Sequence, residues 1–71
     1  MESLKTVVNS LTGRQKQILR LINQGLTNKE IASRLNLSTS TINNHCKNIY
    51  RKLQVNNRFD AAQIANDHRL V

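Results

Sequence analysis

Gly25-Leu26-Thr27-Asn28-Lys29-Glu30-Ile31-Ala32-Ser33-Arg34-Leu35-Asn36-Leu37-Ser38-Thr39-Ser40-Thr41-Ile42-Asn43-Asn44-His45 is the stretch on which the fold turns. Gly25 suits the left-handed stop at a helix end. Thr27 and Glu30 then form a T-x-x-E capping box that starts a new helix. Its apolar stripe is Ile31, Ala32 and Leu35, so it is short. Asn36 tolerates the left-handed conformation that a tight turn needs. Leu37 is apolar and plugs that turn into a core, and Ser38 caps a longer helix reaching about Leu53.

The same punctuation extends outward in both directions. Thr12 and Gln15 make a T-x-x-Q capping box, and Ile18, Leu19 and Ile22 follow at helical spacing. In the helix after Ser38, Ile42, Cys46, Ile49 and Leu53 recur at steps of four, three and four, which is one buried stripe. Asn56 or Asn57 can open a last helix carrying Ala61, Ala62 and Ala65 as core residues. The expected fold is all-α, with four helices at roughly 13–24, 28–35, 39–53 and 57–66. Residues 1–10 are expected to be a linker or flexible N-terminal extension with a frayed turn, and residues 11–71 the domain.

Composition bounds the function. A chain of 71 residues makes one domain with a thin core and little room for an enclosed active site. A lone cysteine, Cys46, permits no disulfide within the chain, which fits a reducing cytosol. No apolar run approaches the roughly 20 residues that cross a bilayer, and Met1 to Val8 lack the apolar stretch of a signal peptide. A soluble, cytoplasmic, nucleoid-associated protein without membrane contact is expected. Eleven Lys and Arg against four Asp and Glu leave a net charge of +7. No acidic residue lies between Glu30 and Asp60, a gap that holds Arg34, Lys47, Arg51, Lys52 and Arg58. A surface of one sign favours a polyanion.

A short helix, a tight turn and a longer helix with a polar, acid-free face make the plan of a helix-turn-helix reader. A major groove about 12 Å wide accepts one α-helix and presents base edges to it. Asn pairs with adenine and Lys with guanine, so Asn43, Asn44 and Lys47 carry chemistry suited to base contact. Hydroxyls and amides on Thr27, Asn28, Thr39, Ser40 and Thr41 suit phosphate oxygens, helped by the free N–H groups of a helix N-terminus. Asn48 and Arg51 share the polar side of the long helix and are further candidates for phosphate contact.

Taken in order, Gly25-Leu26-Thr27-Asn28-Lys29-Glu30-Ile31-Ala32, Leu35-Asn36-Leu37-Ser38 and Thr41-Ile42-Asn43-Asn44-His45 resemble the LuxR/FixJ/GerE-type DNA-binding domain. Flanking agreements are Leu11-Thr12 with Arg14, then Ile49, Lys52-Leu53, Val55, Arg58 and Ala61, so the likeness runs ungapped from Leu11 to about Leu70. The resemblance implies a four-helix domain of a bacterial transcriptional regulator or response regulator. Its fourth helix would join a homodimer on an inverted repeat of double-stranded DNA. It implies base contacts at Asn43, Asn44 and Lys47, and phosphate contacts at Thr27, Thr39, Thr41, Arg51 and Lys52. The sequence departs from the family pattern at Gly13, where Pro is usual, and at Gln15 and Gln17, where Glu is usual. Asn43 stands where Lys is frequent, and Gln54 where Gly is frequent.

Other chemistry finds no pattern. His45 and Cys46 are adjacent, but no ligand spacing matches a zinc site, so neither metal nor cofactor is expected. No Ser-His-acid set or carboxylate pair is present, and the capping box accounts for Glu30, so no enzyme is expected. RNA binding would need aromatic platforms, and Tyr50 and Phe59 are the only aromatics. Phe59 and Ile64 are candidate dimer contacts. The alternative function is a protein-interaction module that heterodimerises with a related regulator and binds DNA weakly alone. RNA polymerase or a related regulator are the further candidate partners, and no small-molecule ligand is expected in this chain.

Overall fold

A computed structural model of the chain describes residues 4–69. Five helices follow one another: α1 (Leu4–Asn9), α2 (Gly13–Asn23), α3 (Asn28–Leu35), α4 (Thr39–Leu53) and α5 (Arg58–Asp67). The described residues contain helices and turns and no strand.

Four of these helices begin at side chains that cap them. Thr12 accepts from the Gln15 backbone N–H while the Gln15 side chain accepts from the Thr12 N–H, both at 3.0 Å. Thr27 and Glu30 repeat the exchange at 3.1 and 2.8 Å. Ser38 Oγ accepts from the Thr41 N–H at 3.1 Å, and Asn57 Oδ1 from the Asp60 N–H at 2.8 Å. Asn57 is therefore the cap, and α5 runs one residue later at each end than the expected 57–66. At the other end of α2, helix ends at Asn23 rather than Gln24.

Three helices close by the same device. Past α2, α3 and α4 stand Gly25 (φ 91°), Asn36 (φ 60°) and Gln54 (φ 57°), each in left-handed backbone. The next N–H then reaches back over the turn: Leu26 to Leu21 O, Leu37 to Ala32 O, and Val55 to Tyr50 O, at 3.2, 2.9 and 3.0 Å. This is the Schellman arrangement, and Leu26, Leu37 and Val55 supply its apolar plug by packing on the core. Gln54 ends α4 where the left-handed residue would more cheaply be glycine. Gln54→Gly is expected to raise stability by about 0.5–1 kcal/mol. An upward shift of the thermal midpoint checks it, and no shift would mean that the Gln54 side chain compensates.

The core draws on every helix. Ile18, Leu19, Ile31, Ile42 and Ile49 are its largest fully buried side chains, joined by Cys46, Leu53, Ala61 and Ala65. No buried side-chain nitrogen or oxygen among the described residues lacks a hydrogen-bond partner.

One element is new relative to the sequence expectation. Part of the stretch expected as a linker is helix α1, and its Val8 is buried at 3% exposure with Leu11 beside it in the core cluster. A six-residue helix does not persist by propensity alone, so burial of Val8 against the rest of the domain is what holds it. Residues 1–3 of the expected linker lie outside the described residues, as do residues 70–71 of the expected domain.

Candidate nucleic-acid interface

Helix α4 has two opposed faces. Ile42, Cys46, Ile49 and Leu53 are buried, while Thr39, Ser40, Asn43, Asn44, Lys47, Asn48, Arg51 and Lys52 are exposed. At about 100° per residue, Asn43, Lys47, Arg51 and Asn44 fall within roughly 100° of arc, centred about 140° from the buried stripe. The three residues expected at bases are thus exposed together on one strip, with Arg51 among them. No acidic residue belongs to α4, so nothing on the strip repels an anion.

The residues expected at phosphates divide into two sets. Thr39, Asn48 and Arg51 are exposed on α4. Thr27 is exposed but its hydroxyl caps α3. Thr41 is half-buried, with its hydroxyl 2.8 Å from Ser38 Oγ. Asn28 and Lys52 are engaged elsewhere. Lys52 Nζ donates to Gln15 Oε1 at 3.0 Å and to Ser10 O at 3.5 Å, which ties the exposed edge of α4 to the start of α2. Asn28 has both ends of its amide in use, on Asn43 and Arg58.

Gln15 therefore serves the Thr12 cap and Lys52 with one oxygen. Gln15→Glu would turn the Lys52 contact into an ion pair and add an acid to the first turn of α2, which has none. The gain is expected to be about 0.5–1 kcal/mol, since bonds to charged groups exceed neutral ones and the helix dipole favours the carboxylate. Chemical denaturation checks it. A loss of stability would mean that desolvating the carboxylate, at a side chain only 7% exposed, dominates.

Glu30 is held below the usual carboxylate range, first by the Thr27 backbone N–H, then by the Thr27 side chain, with Arg34 adding to both. The α3 cap is therefore built on the ionised form. Burial pushes the Cys46 thiol up, against the opposing charge of Arg58, so the thiol stays protonated at neutral pH. Cys46 packs as an apolar residue with a weak donor, its Sγ 3.7 Å from Asn28 Oδ1. Among the described residues, no group of three or more His, Cys, Asp or Glu side chains is placed to hold a metal ion. No helix among them is long and apolar enough to cross a membrane.

Phe59 and Ile64 of α5 do not share a surface. Phe59 is 77% exposed, the only large hydrophobic so placed among the described residues. Ile64 is half-buried against the core. Five residues apart, they lie about 140° apart around the helix.

A family model described as bacterial regulatory proteins, luxR family, matches residues 9–65. The chain belongs to this family. Among luxR-family relatives, the nitrate/nitrite response regulator protein NarL of Escherichia coli (strain K12) is 43% identical over 63 residues, covering 89% of this chain and 29% of its own. The transcriptional regulatory protein DesR of Bacillus subtilis (strain 168) is 41% identical over 61 residues, covering 86% and 31%. A crystal structure of the response regulator ChrA, from a heme-sensing two-component system, superposes with a TM-score of 0.81 at 39% identity. It covers 87% of this chain and 31% of that one. The all-helical fold expected from the sequence is thus that of a response-regulator relative. The chain spans about 30% of the length of the curated relatives it matches.

Arg58 is the residue whose part the sequence left unassigned beyond its charge. It starts α5, yet its guanidinium reaches Leu26 O and Asn28 Oδ1. Its partners lie about thirty residues away in the chain, so no local pattern marks them.

Proposed function

We propose that this domain binds double-stranded DNA sequence-specifically within a bacterial transcriptional regulator, with α4 in the major groove. The observation that carries the reading is the exposed strip of Asn43, Asn44, Lys47 and Arg51, free of acids and backed by a buried apolar stripe. Asn43, Asn44 and Lys47 face bases. Thr27, Thr39, Thr41, Asn48 and Arg51 face phosphates, which position the helix without reading sequence. Asn28 and Lys52 are held by the bonds described above, and each keeps one further N–H to offer a phosphate. The family's named regulators NarL and DesR support the regulatory setting, and the site of action is then the cytoplasmic nucleoid.

The domain acts as a homodimer on an inverted repeat, with half-sites about 10 bp apart centre to centre. The exposed Phe59 supplies the contact on α5. Selection of binding sites from a random duplex pool, at near-physiological salt with competitor DNA, tests both points. An enriched inverted repeat supports them. No enrichment, with residual binding that vanishes steeply as salt rises, leaves only the sequence-independent phosphate interaction and contradicts the reading.

Phe59 also favours a second reading, in which the domain chiefly engages a protein, either RNA polymerase or a related regulator. On that reading Phe59→Ser abolishes partner binding, and substitutions on the α4 strip leave it intact.

A further inference from the structure

The amide of Asn43 does not stand alone at the edge of the α4 strip. Its Oδ1 accepts from Asn28 Nδ2 at 2.7 Å. Asn28 lies in the first turn of α3, and its Oδ1 accepts from Arg58 Nη1 at 2.6 Å and from the Cys46 thiol at 3.7 Å. Arg58 is anchored in turn by Leu26 O.

The polarity of this chain of bonds is set at one end. A guanidinium has donors and no acceptor, so Asn28 must turn its oxygen toward Arg58. The NH2 of Asn28 then faces Asn43. An amide NH2 only donates, so Asn43 must meet it with its oxygen. With that oxygen turned inward, Asn43 offers its own NH2 to whatever occupies the strip.

We propose that Arg58 and Asn28 are positioning residues that fix Asn43 as a hydrogen-bond donor, so that its position selects a base presenting acceptors in the major groove. Guanine presents O6 and N7 and thymine O4, adenine presents N7 beside its own N6 donor, and cytosine presents only a donor there. The two-bond contact of Asn with adenine needs the amide oxygen aimed at the base, and the bond from Asn28 Nδ2 holds that oxygen toward α3 instead. The inference rests on Asn43 facing bases, as argued above. It adds which kind of base, and it assigns that choice to residues behind the strip.

Asn28→Asp inverts the relay at almost constant shape. The Asp keeps an oxygen for Arg58 and Cys46, and an acid is favourable in the first turn of a helix. Its second oxygen only accepts, so Asn43 must turn its NH2 inward and its oxygen out. In site selection, N28D is expected to exchange guanine or thymine for adenine or cytosine at one position of each half-site, by about fivefold or more. The added charge lowers affinity for every sequence alike and leaves this ranking untouched. Arg58→Lys keeps a donor toward Asn28 and is expected to retain the wild-type base.

Side-chain amide hydrogen exchange in the free domain reads the relay without DNA. In the wild type the Asn28 NH2 exchanges slowly and the Asn43 NH2 fast, whereas in N28D the Asn43 NH2 becomes protected. An unchanged base preference in N28D overturns the inference, and so does a wild-type Asn43 NH2 protected more than that of Asn28. If neither protein enriches any site, the base-reading role of Asn43 fails. The exchange rates then decide the relay by themselves, including where N28D does not fold.

Discussion

Replacing Asn44 and Lys47 together by alanine is expected to weaken binding to the selected duplex on the order of 30-fold to 10⁴-fold. A good contact to a base edge is worth about 1–3 kcal/mol, and each 1.4 kcal/mol is tenfold. Both side chains are exposed on α4, opposite Ile42, Cys46, Ile49 and Leu53. Alanine is the best helix former and nothing packs over these positions, so stability should stay within about 0.5 kcal/mol. Fluorescence anisotropy at one fixed salt concentration, paired with a thermal melt, separates lost recognition from lost folding. Unchanged affinity would remove the strip from the DNA interface. Retained binding to a protein partner in the same variant would favour the interaction-module reading.

Ile49→Ala is expected to cost about 2–5 kcal/mol. Ile49 is fully buried on α4, within the core cluster to which every helix contributes. At about 0.05–0.15 kcal/mol per residue, a chain of this length has roughly 4–10 kcal/mol of stability in all. A cavity at Ile49 therefore removes about a fifth of it at the least, and the thermal midpoint should fall by about 8–40 °C. DNA binding should fall with it, but for a different reason than in the strip variant. The site itself is intact in the folded fraction, so excess duplex should raise the midpoint again by mass action. A fall of under 3 °C would mean that α4 is not anchored where the burial of Ile49 places it.

These two variants mark what could be read without coordinates. The caps at Thr12 and Thr27 and the turn at Asn36 are legible because each depends on residues three or four apart. The two faces of α4 are legible for the same reason, since a helix turns local spacing into direction. Helix α1 is not legible. The apolar pattern around Val8 is too short to read, and its helix rests on burial against elements distant in sequence.

The candidate site divides along the same line. That Asn43, Asn44 and Lys47 share a surface follows from periodicity. That Lys52 turns away to Gln15 and Ser10, across 37 and 42 residues, follows only from how the helices pack. Likewise, Arg58 reaches Asn28 across 30 residues, and Asn28 reaches Asn43 across 15. The sequence supplies donors and acceptors, but which way an amide points is decided by partners brought together in the fold. The departure of Asn43 from the Lys frequent in the family then acquires a physical meaning. A flexible cation is replaced by a short amide whose orientation is set from behind.

The central claim is that the exposed strip of α4 lies in the major groove. Dimethyl sulfate probing of the selected repeat tests it most directly, because the reagent methylates guanine N7 in the major groove and adenine N3 in the minor groove. Protection of guanine N7 in both half-sites, about one helical turn apart, with adenine N3 still reactive beside it, is the result the account predicts. Protection confined to adenine N3, or reactive guanines throughout a fully occupied site, would contradict it.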